Sequence, residues 1–297
     1  MQEIIQYTTA DGLTLRADAY GNPDGQPVLL LHGGGQTRNA WGDTAKILAD
    51  KGFRAVALDL RGHGESDWAP NESAYTIDSF IEDARIVVSS FKKPPVMVGA
   101  SLGGIISMGL QGESELPMTK AIVLVDVAPR LEEKGVERIR AFMESHQDGF
   151  ESIQDAADVV AKYLSHRKRP VDFQGLEKNL RLMSDGRYHW HWDPAFLHGL
   201  RVKKIHNQAR LKAASQHLKV PVLFMRGTLS DVVSKETMKE FLSDAPHAEV
   251  VEIEGANHTM AGDTNAEFTE ALVNFLERLE PNVGAIKNGQ GSAMPLR

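Results

Sequence analysis

The sequence predicts an α/β fold, with a mostly parallel central sheet flanked by helices and an inserted helical cap. Three observations predict it. Short continuous apolar runs, suited to strands buried on both faces, alternate with stretches whose apolar residues recur every three or four positions. The alternation stops at Pro129 and resumes at Val220. Glycine-rich or polar clusters follow the apolar runs, where an open parallel sheet collects its functional groups.

Residues 3–7 and 14–20 alternate apolar and polar across Asp11-Gly12, a hairpin signal. Pro27-Val28-Leu29-Leu30-Leu31 is the first buried run and ends in His32-Gly33-Gly34-Gly35. A helix follows over 41–50, with Trp41, Ala45 and Leu48 on one face and Gly52 closing it. Residues 54–58 form the next strand, leading into Asp59-Leu60-Arg61-Gly62-His63-Gly64-Glu65-Ser66. Ile77, Phe80, Ile81, Ala84, Val87, Val88 and Phe91 mark a helix that Pro94-Pro95 stops. The strand 96–98 then runs into Gly99-Ala100-Ser101-Leu102-Gly103-Gly104, and a helical pattern resumes at Ile105. Residues 121–125 are another buried strand, ending at Asp126. From 131 to about 214 the patterns are helical and no strand is predicted. Strands return at 220–225, before Arg226-Gly227-Thr228-Leu229-Ser230-Asp231, and at 248–253, before Glu254-Gly255-Ala256-Asn257-His258. Phe268, Ala271, Leu272, Phe275, Leu276 and Leu279 form a final amphipathic helix, and 281–297 reads as a disordered tail. The expected organisation is a core from 1–129 and 216–280, a helical cap over 130–215, and the tail.

The chain has 297 residues, 42% hydrophobic and 25% charged, the composition of a globular protein. A net charge of −7 argues against nucleic acid or an anionic membrane as partner. There is no cysteine, which excludes disulfides, thiolate catalysis and cysteine-ligated metals. No signal peptide or bilayer-spanning run is read, so a cytoplasmic location is expected. Nothing in the sequence reads on oligomeric state.

G-x-S-x-G between strand and helix has a physical logic. The sharp turn exposes the Ser101 hydroxyl, Gly99 and Gly103 let strand and helix approach, and the helix N-terminus turns N–H groups toward whatever Ser101 attacks. Ser101, Asp231 and His258 each lie just beyond a predicted strand. A neutral serine is a poor nucleophile, so His258 is expected to take its proton and a carboxylate to orient His258. Asp231 is the expected acid, reached by the short loop after 220–225, with Asp126 as the alternative acid. Asp231 could instead cap the helix near 234–242, and His258 could be a surface loop residue. The oxyanion hole is expected from the N–H groups of Leu102 and Gly34, with Gly35 as the alternative and part of the substrate-binding surface. Trp190 and Trp192 are expected to cover the substrate. They alternate with His189, His191 and Asp193, which could otherwise bind metal; no metal is expected. His32 and His63 are expected to brace loops, and the 166–169 charge cluster to be a solvated turn.

These stretches, Leu31 to Gly35, Asp59 to Ser66, Gly99 to Gly104, Arg226 to Asp231 and Gly255 to His258, resemble the α/β-hydrolase superfamily over essentially the whole chain to about Glu280. The order Ser, Asp, His is that of the superfamily. The resemblance implies the α/β-hydrolase fold, a Ser101–His258–Asp231 triad and a cap over the site. Some relatives take the acid from the earlier strand, which keeps Asp126 open. Asp59-Leu60-Arg61-Gly62-His63-Gly64 resembles the branch with epoxide hydrolases, haloalkane dehalogenases, lactonases and cofactor-free haloperoxidases. Ser101 departs from the first two, which use an aspartate nucleophile. Triple glycine and Leu102 depart from the haloperoxidase pattern of proline in the loop and methionine after the nucleophile. Ala100 departs from esterases of the hormone-sensitive-lipase type, which carry aspartate there. The expected function is hydrolysis of a small-molecule carboxylic ester or lactone through an acyl-enzyme, with no cofactor. The alternatives are perhydrolysis or C–C bond hydrolysis on the same triad, or a low-turnover ligand-binding receptor.

Overall fold

The computed structural model describes residues 2–163, 174–201, 206–262 and 266–280. The 166–169 cluster and the 281–297 tail lie outside the described residues. The chain runs β1 (Gln2–Thr8), β2 (Thr14–Tyr20), β3 (Pro27–Leu31), α1 (Gly42–Asp50), β4 (Arg54–Leu58), α2 (Ile77–Ser89), β5 (Val96–Ala100), α3 (Leu102–Gly112) and β6 (Ala121–Val125). Then come α4 (Glu133–Glu144), α5 (Ile153–Tyr163), α6 (Gln174–Glu177), β7 (Leu180–Leu182), β8 (Tyr188–Trp190), α7 (Phe196–Arg201) and α8 (Gln208–Gln216). The core resumes with β9 (Val222–Gly227), α9 (Lys235–Asp244), β10 (Glu249–Ile253) and α10 (Ala266–Leu279).

Eight strands form one sheet in the order β1-β2-β4-β3-β5-β6-β9-β10. The β1–β2 hairpin is antiparallel and β2 pairs antiparallel with β4; the remaining pairs are parallel. Every residue of β3, β4, β5 and β6 is buried, as their apolar sequences require. Successive side chains alternate between the two faces. Leu29, Leu31, Met97, Ile122 and Leu124 meet α2 and α3 on one side. Val28, Leu30, Val96, Val98, Ala121 and Val123 meet α1 and α10 on the other. Helix ends follow local chemistry: Thr76 and Ser234 accept backbone N–H bonds from Ser79 and Thr237 at the N-termini of α2 and α9. The cap of α9 is thus Ser234 and not Asp231.

The stretch between β6 and β9 differs from the sequence expectation in containing strands. β7 and β8 pair antiparallel, Leu180 with Trp190 and Leu182 with Tyr188. Each is three residues long, too short for its alternation to stand out beside the surrounding helical spacing. α8 packs against α3 rather than over the sheet edge, burying Leu211 and Ala214. Arg210 on α8 pairs with Glu113 and Asp78, tying α8 to the region of α2 and α3. No helix among the described residues is long and apolar enough to cross a membrane.

Candidate functional site

Ser101 sits at φ 48°, ψ −110°, between the last residue of β5 and the first of α3. The turn is possible because the glycines let backbone touch backbone. A Cβ on Gly99 would lie 2.3 Å from the Gly103 carbonyl carbon, and one on Gly103 would lie 2.3 Å from Leu31 O. The Ser101 N–H donates to Val125 O at 3.1 Å, fixing the turn to β6. Its hydroxyl makes no capping bond to α3. Ser101 and His258 line one cavity of about 1530 Å³.

The carboxylate beside His258 belongs to Asp126. His258 Nδ1 lies 2.8 Å from Asp126 Oδ2. Asp126 is fully buried, at φ 50°, one residue past β6. Its N–H donates to Met225 O at 2.8 Å, so it is tied to β9 as Ser101 is tied to β6. The carboxylate also accepts from Gly227 N–H at 3.2 Å on Oδ1 and from the Ser230 hydroxyl at 2.5 Å on Oδ2. Asp231, the acid expected from the sequence, is engaged elsewhere. Its carboxylate takes Arg138 of α4, Nη2 at 3.0 Å and Nε at 2.9 Å, and is 38% exposed. The reason is the turn at 227–230, closed by Ser230 N–H to Gly227 O at 3.0 Å. It aims residue 230 at Asp126 and turns residue 231 to Arg138 of α4, at the wall of the same cavity. Sequence reasoning passed over Ser230 altogether, although its place three residues past the end of a strand, one before Asp231, was a usable signal.

The glycine loop is braced from three sides. Gly33 N–H donates to Gln36 Oε1 at 3.0 Å, and Gly35 N–H to His63 Nε2 at 3.1 Å. His32 Nδ1 donates to Gly33 O at 2.8 Å and its Nε2 accepts Leu60 N–H at 3.1 Å. Gly35 N–H is therefore spoken for, and Gly34 is the glycine whose N–H neither brace engages. The N–H of Leu102, at the first position of α3, has no acceptor within the helix. Gly34 and Leu102 both line the cavity beside Ser101.

His32 and His63 each face a carbonyl at Nδ1 and a backbone N–H at Nε2, His63 using Arg61 O at 2.9 Å. That pattern admits only the neutral Nδ1–H tautomer. Burial pushes His32 down to about 4, and burial with the neighbouring His32 ring pushes His63 down to about 3. Unfolded, both titrate near the ordinary value of about 6.5. Between those values the unfolded chain binds protons that the folded chain refuses. Their stabilisation is complete above about pH 6.5 and is lost as pH falls toward 4 and 3. Thermal melting should therefore move to lower temperature on acidification from pH 7 to pH 4.5, and His63→Gln should flatten that dependence.

Residues of the segment between β6 and β9 line the cavity, Met143, Trp192 and Phe196 among them. A Cβ on Gly35 would meet Met143 Cε at 3.0 Å and Trp192 at 3.6 Å, and one on Gly34 would meet the Phe196 ring at 3.3 Å. Trp192 lines the cavity. Trp190 stands behind it, its ring stacked at 4.9 Å and 10° and its edge against Phe150. The histidine string does not converge. His189 pairs with Asp185 at 2.8 Å, the His191 carbonyl accepts Gly64 N–H at 2.7 Å, and Asp193 accepts the Tyr75 hydroxyl at 2.6 Å. Asp193 N–H also donates to Gly62 O at 2.8 Å, so this segment locks the cover to the Arg61-Gly62-His63 loop. No metal-binding cluster of His, Asp and Glu occurs among the described residues.

Residues 28–271 match the Alpha/beta hydrolase family. The chain is 26% identical over 251 residues to 3-hydroxybutyrate-oligomer hydrolase of Cupriavidus necator, covering 80% of this chain and 85% of the relative. It is 27% identical over 258 residues to an esterase of Mycobacterium tuberculosis, covering 84% and 82%. The crystal structure of E-2-(acetamidomethylene)succinate hydrolase matches with a TM-score of 0.80 at 22% identity, over 93% of this chain and 100% of that one, a likeness of fold. With a match across most of its length and the sheet described above, the chain belongs to the alpha/beta hydrolase family.

Proposed function

We propose that this hydrolase cleaves carboxylic esters, lactones included, through an acyl-enzyme formed on Ser101. The observation that carries the proposal is that His258, which lines the same cavity as Ser101 at its helix N-terminus, pairs with a fully buried aspartate. The relatives named 3-hydroxybutyrate-oligomer hydrolase and esterase support the ester class. In the proposed mechanism Ser101 Oγ attacks the carbonyl carbon as its proton passes to His258 Nε2. Asp126 holds Nδ1–H, which fixes the tautomer and stabilises the imidazolium. The oxyanion receives the N–H groups of Leu102 and Gly34, helped by the N-terminal end of α3. His258 then returns the proton to the leaving alcohol. Water, deprotonated by His258, releases the acid by the same steps in reverse. No step calls on a metal or organic cofactor.

The stretch from α4 to α7 serves in this reading as the cap that selects substrates, with Met143, Trp192 and Phe196 as an apolar wall over the glycine loop. Trp192→Ala should change the ratio of rates between short and long acyl esters. Trp190→Ala should leave that ratio nearly as it was and lower stability, by about 3–5 kcal/mol for loss of a buried tryptophan. Parallel changes in the ratio for both variants would overturn the assignment of Trp192 as the cavity-facing ring. The function itself is tested with a fluorophosphonate and an aryl ester. Labelling confined to Ser101 and a burst of aryl alcohol followed by steady turnover are expected. Absence of both would leave a ligand-binding receptor in place of an enzyme.

A further inference from the structure

Resting on the Ser101–His258–Asp126 reading, we infer that Ser230 is a positioning residue of the catalytic acid, setting how strongly Asp126 acts on His258. Ser230 Oγ and His258 Nδ1 address the same carboxylate oxygen, at 2.5 Å and 2.8 Å. A hydroxyl donating to Oδ2 draws charge from the oxygen that faces the imidazole. It also fixes that oxygen in space, because the hydroxyl is itself held. Ser230 Oγ accepts Val232 N–H at 3.2 Å and Val233 N–H at 3.0 Å, so its own proton is left for Asp126. Gly227 N–H holds Oδ1 at 3.2 Å. The end of β9 and the turn after it thus grip both oxygens of the carboxylate that follows β6.

Two consequences separate this role from simple loop bracing. With the hydroxyl gone, Asp126 concentrates its charge on His258 Nδ1–H and the imidazolium becomes easier to form. The acid limb of kcat/KM, which reports the free enzyme's base, moves to higher pH. The shared Nδ1–H proton resonance moves downfield as that hydrogen bond strengthens. The carboxylate also loses one of its anchors, so kcat falls, by about tenfold for a hydrogen bond to a charged group.

The test compares Ser230→Ala, Ser230→Thr and Asp126→Asn with the parent protein. Each is measured for kcat, the pH profile of kcat/KM, thermal melting and the downfield proton spectrum. Ser230→Ala should show the upward acid limb, the displaced proton and the lower kcat; Ser230→Thr, which keeps the hydroxyl, should restore all three. Should Ser230→Ala fail to fold, Ser230→Cys, with a weaker donor in the same place, should show the same shifts in smaller measure. A Ser230→Ala protein whose acid limb and Nδ1–H resonance match the parent's overturns the proposal, whatever its melting temperature. Asp126→Asn distinguishes the two levels. If it keeps full activity the triad reading itself fails, whereas its inactivity beside an unshifted Ser230→Ala removes only the role of Ser230.

Discussion

Ser101→Ala should fold as the parent does and lose nearly all ester turnover, by about 10⁶ in kcat, the loss seen when a triad nucleophile is removed. The expectation of an intact fold has a specific basis. The Ser101 hydroxyl makes no bond to the first turn of α3, and alanine keeps the Cβ that already stands at φ 48°. What remains should be the part of catalysis due to the Gly34 and Leu102 N–H groups and to substrate binding. Steady-state turnover of an aryl ester together with a thermal melt decides the matter. A cleanly folded Ser101→Ala protein with substantial turnover would refute the acyl-enzyme mechanism.

Asp126→Asn should cut kcat by about 10⁴, the scale set by losing the triad acid. All three donors to Asp126 are fixed by their positions: Gly227 N–H at Oδ1, His258 and Ser230 at Oδ2. An asparagine must turn its NH₂ toward one side or the other. Facing Gly227 it sets donor against donor, and facing His258 it forces the imidazole into the wrong tautomer. A stability loss of about 1–3 kcal/mol should accompany the kinetic defect, since the clash is buried. Asp231→Asn should behave quite differently. Its partner Arg138 and Asp231 itself are both more than a third exposed, so the pair contributes at most about 1 kcal/mol, and kcat should stay within a few-fold. The reverse ranking of these two variants would return the acid to Asp231.

The parallel sheet was legible because its strands are buried on both faces and so carry unbroken apolar runs, as in Val28 to Leu31 and Ile122 to Val125. The positions of Ser101 and His258 at the ends of strands were legible because each follows such a run within a glycine-containing turn. Which carboxylate sits beside His258 was harder to read for a geometric reason. Asp126 and Asp231 both follow strands, and composition cannot say which way a turn presents its residues. The hydrogen bond from Ser230 N–H to Gly227 O decides it, and nothing in Thr228-Leu229-Ser230-Asp231 announces that rotation. Gly35 was open as an oxyanion donor until His63, far off in sequence, was seen to occupy its N–H. The β7–β8 hairpin escaped notice because three-residue strands carry too little periodicity.

Ser101 and Asp126 each hand their N–H to the next strand over, to Val125 O and Met225 O. In the proposed mechanism, nucleophile and acid are the last rungs of a ladder that begins deep in the protein. Their spacing is set by the pitch between neighbouring strands, not by the stretch beyond Asp126. That stretch is therefore free to be exchanged as a module. A cap transplanted between β6 and β9 from another member of the family, joined beyond Asp126 and before β9, would bring its own pocket to a pair already aligned. In that mechanism, a change of substrate calls for changes beyond Asp126 and none in the sheet.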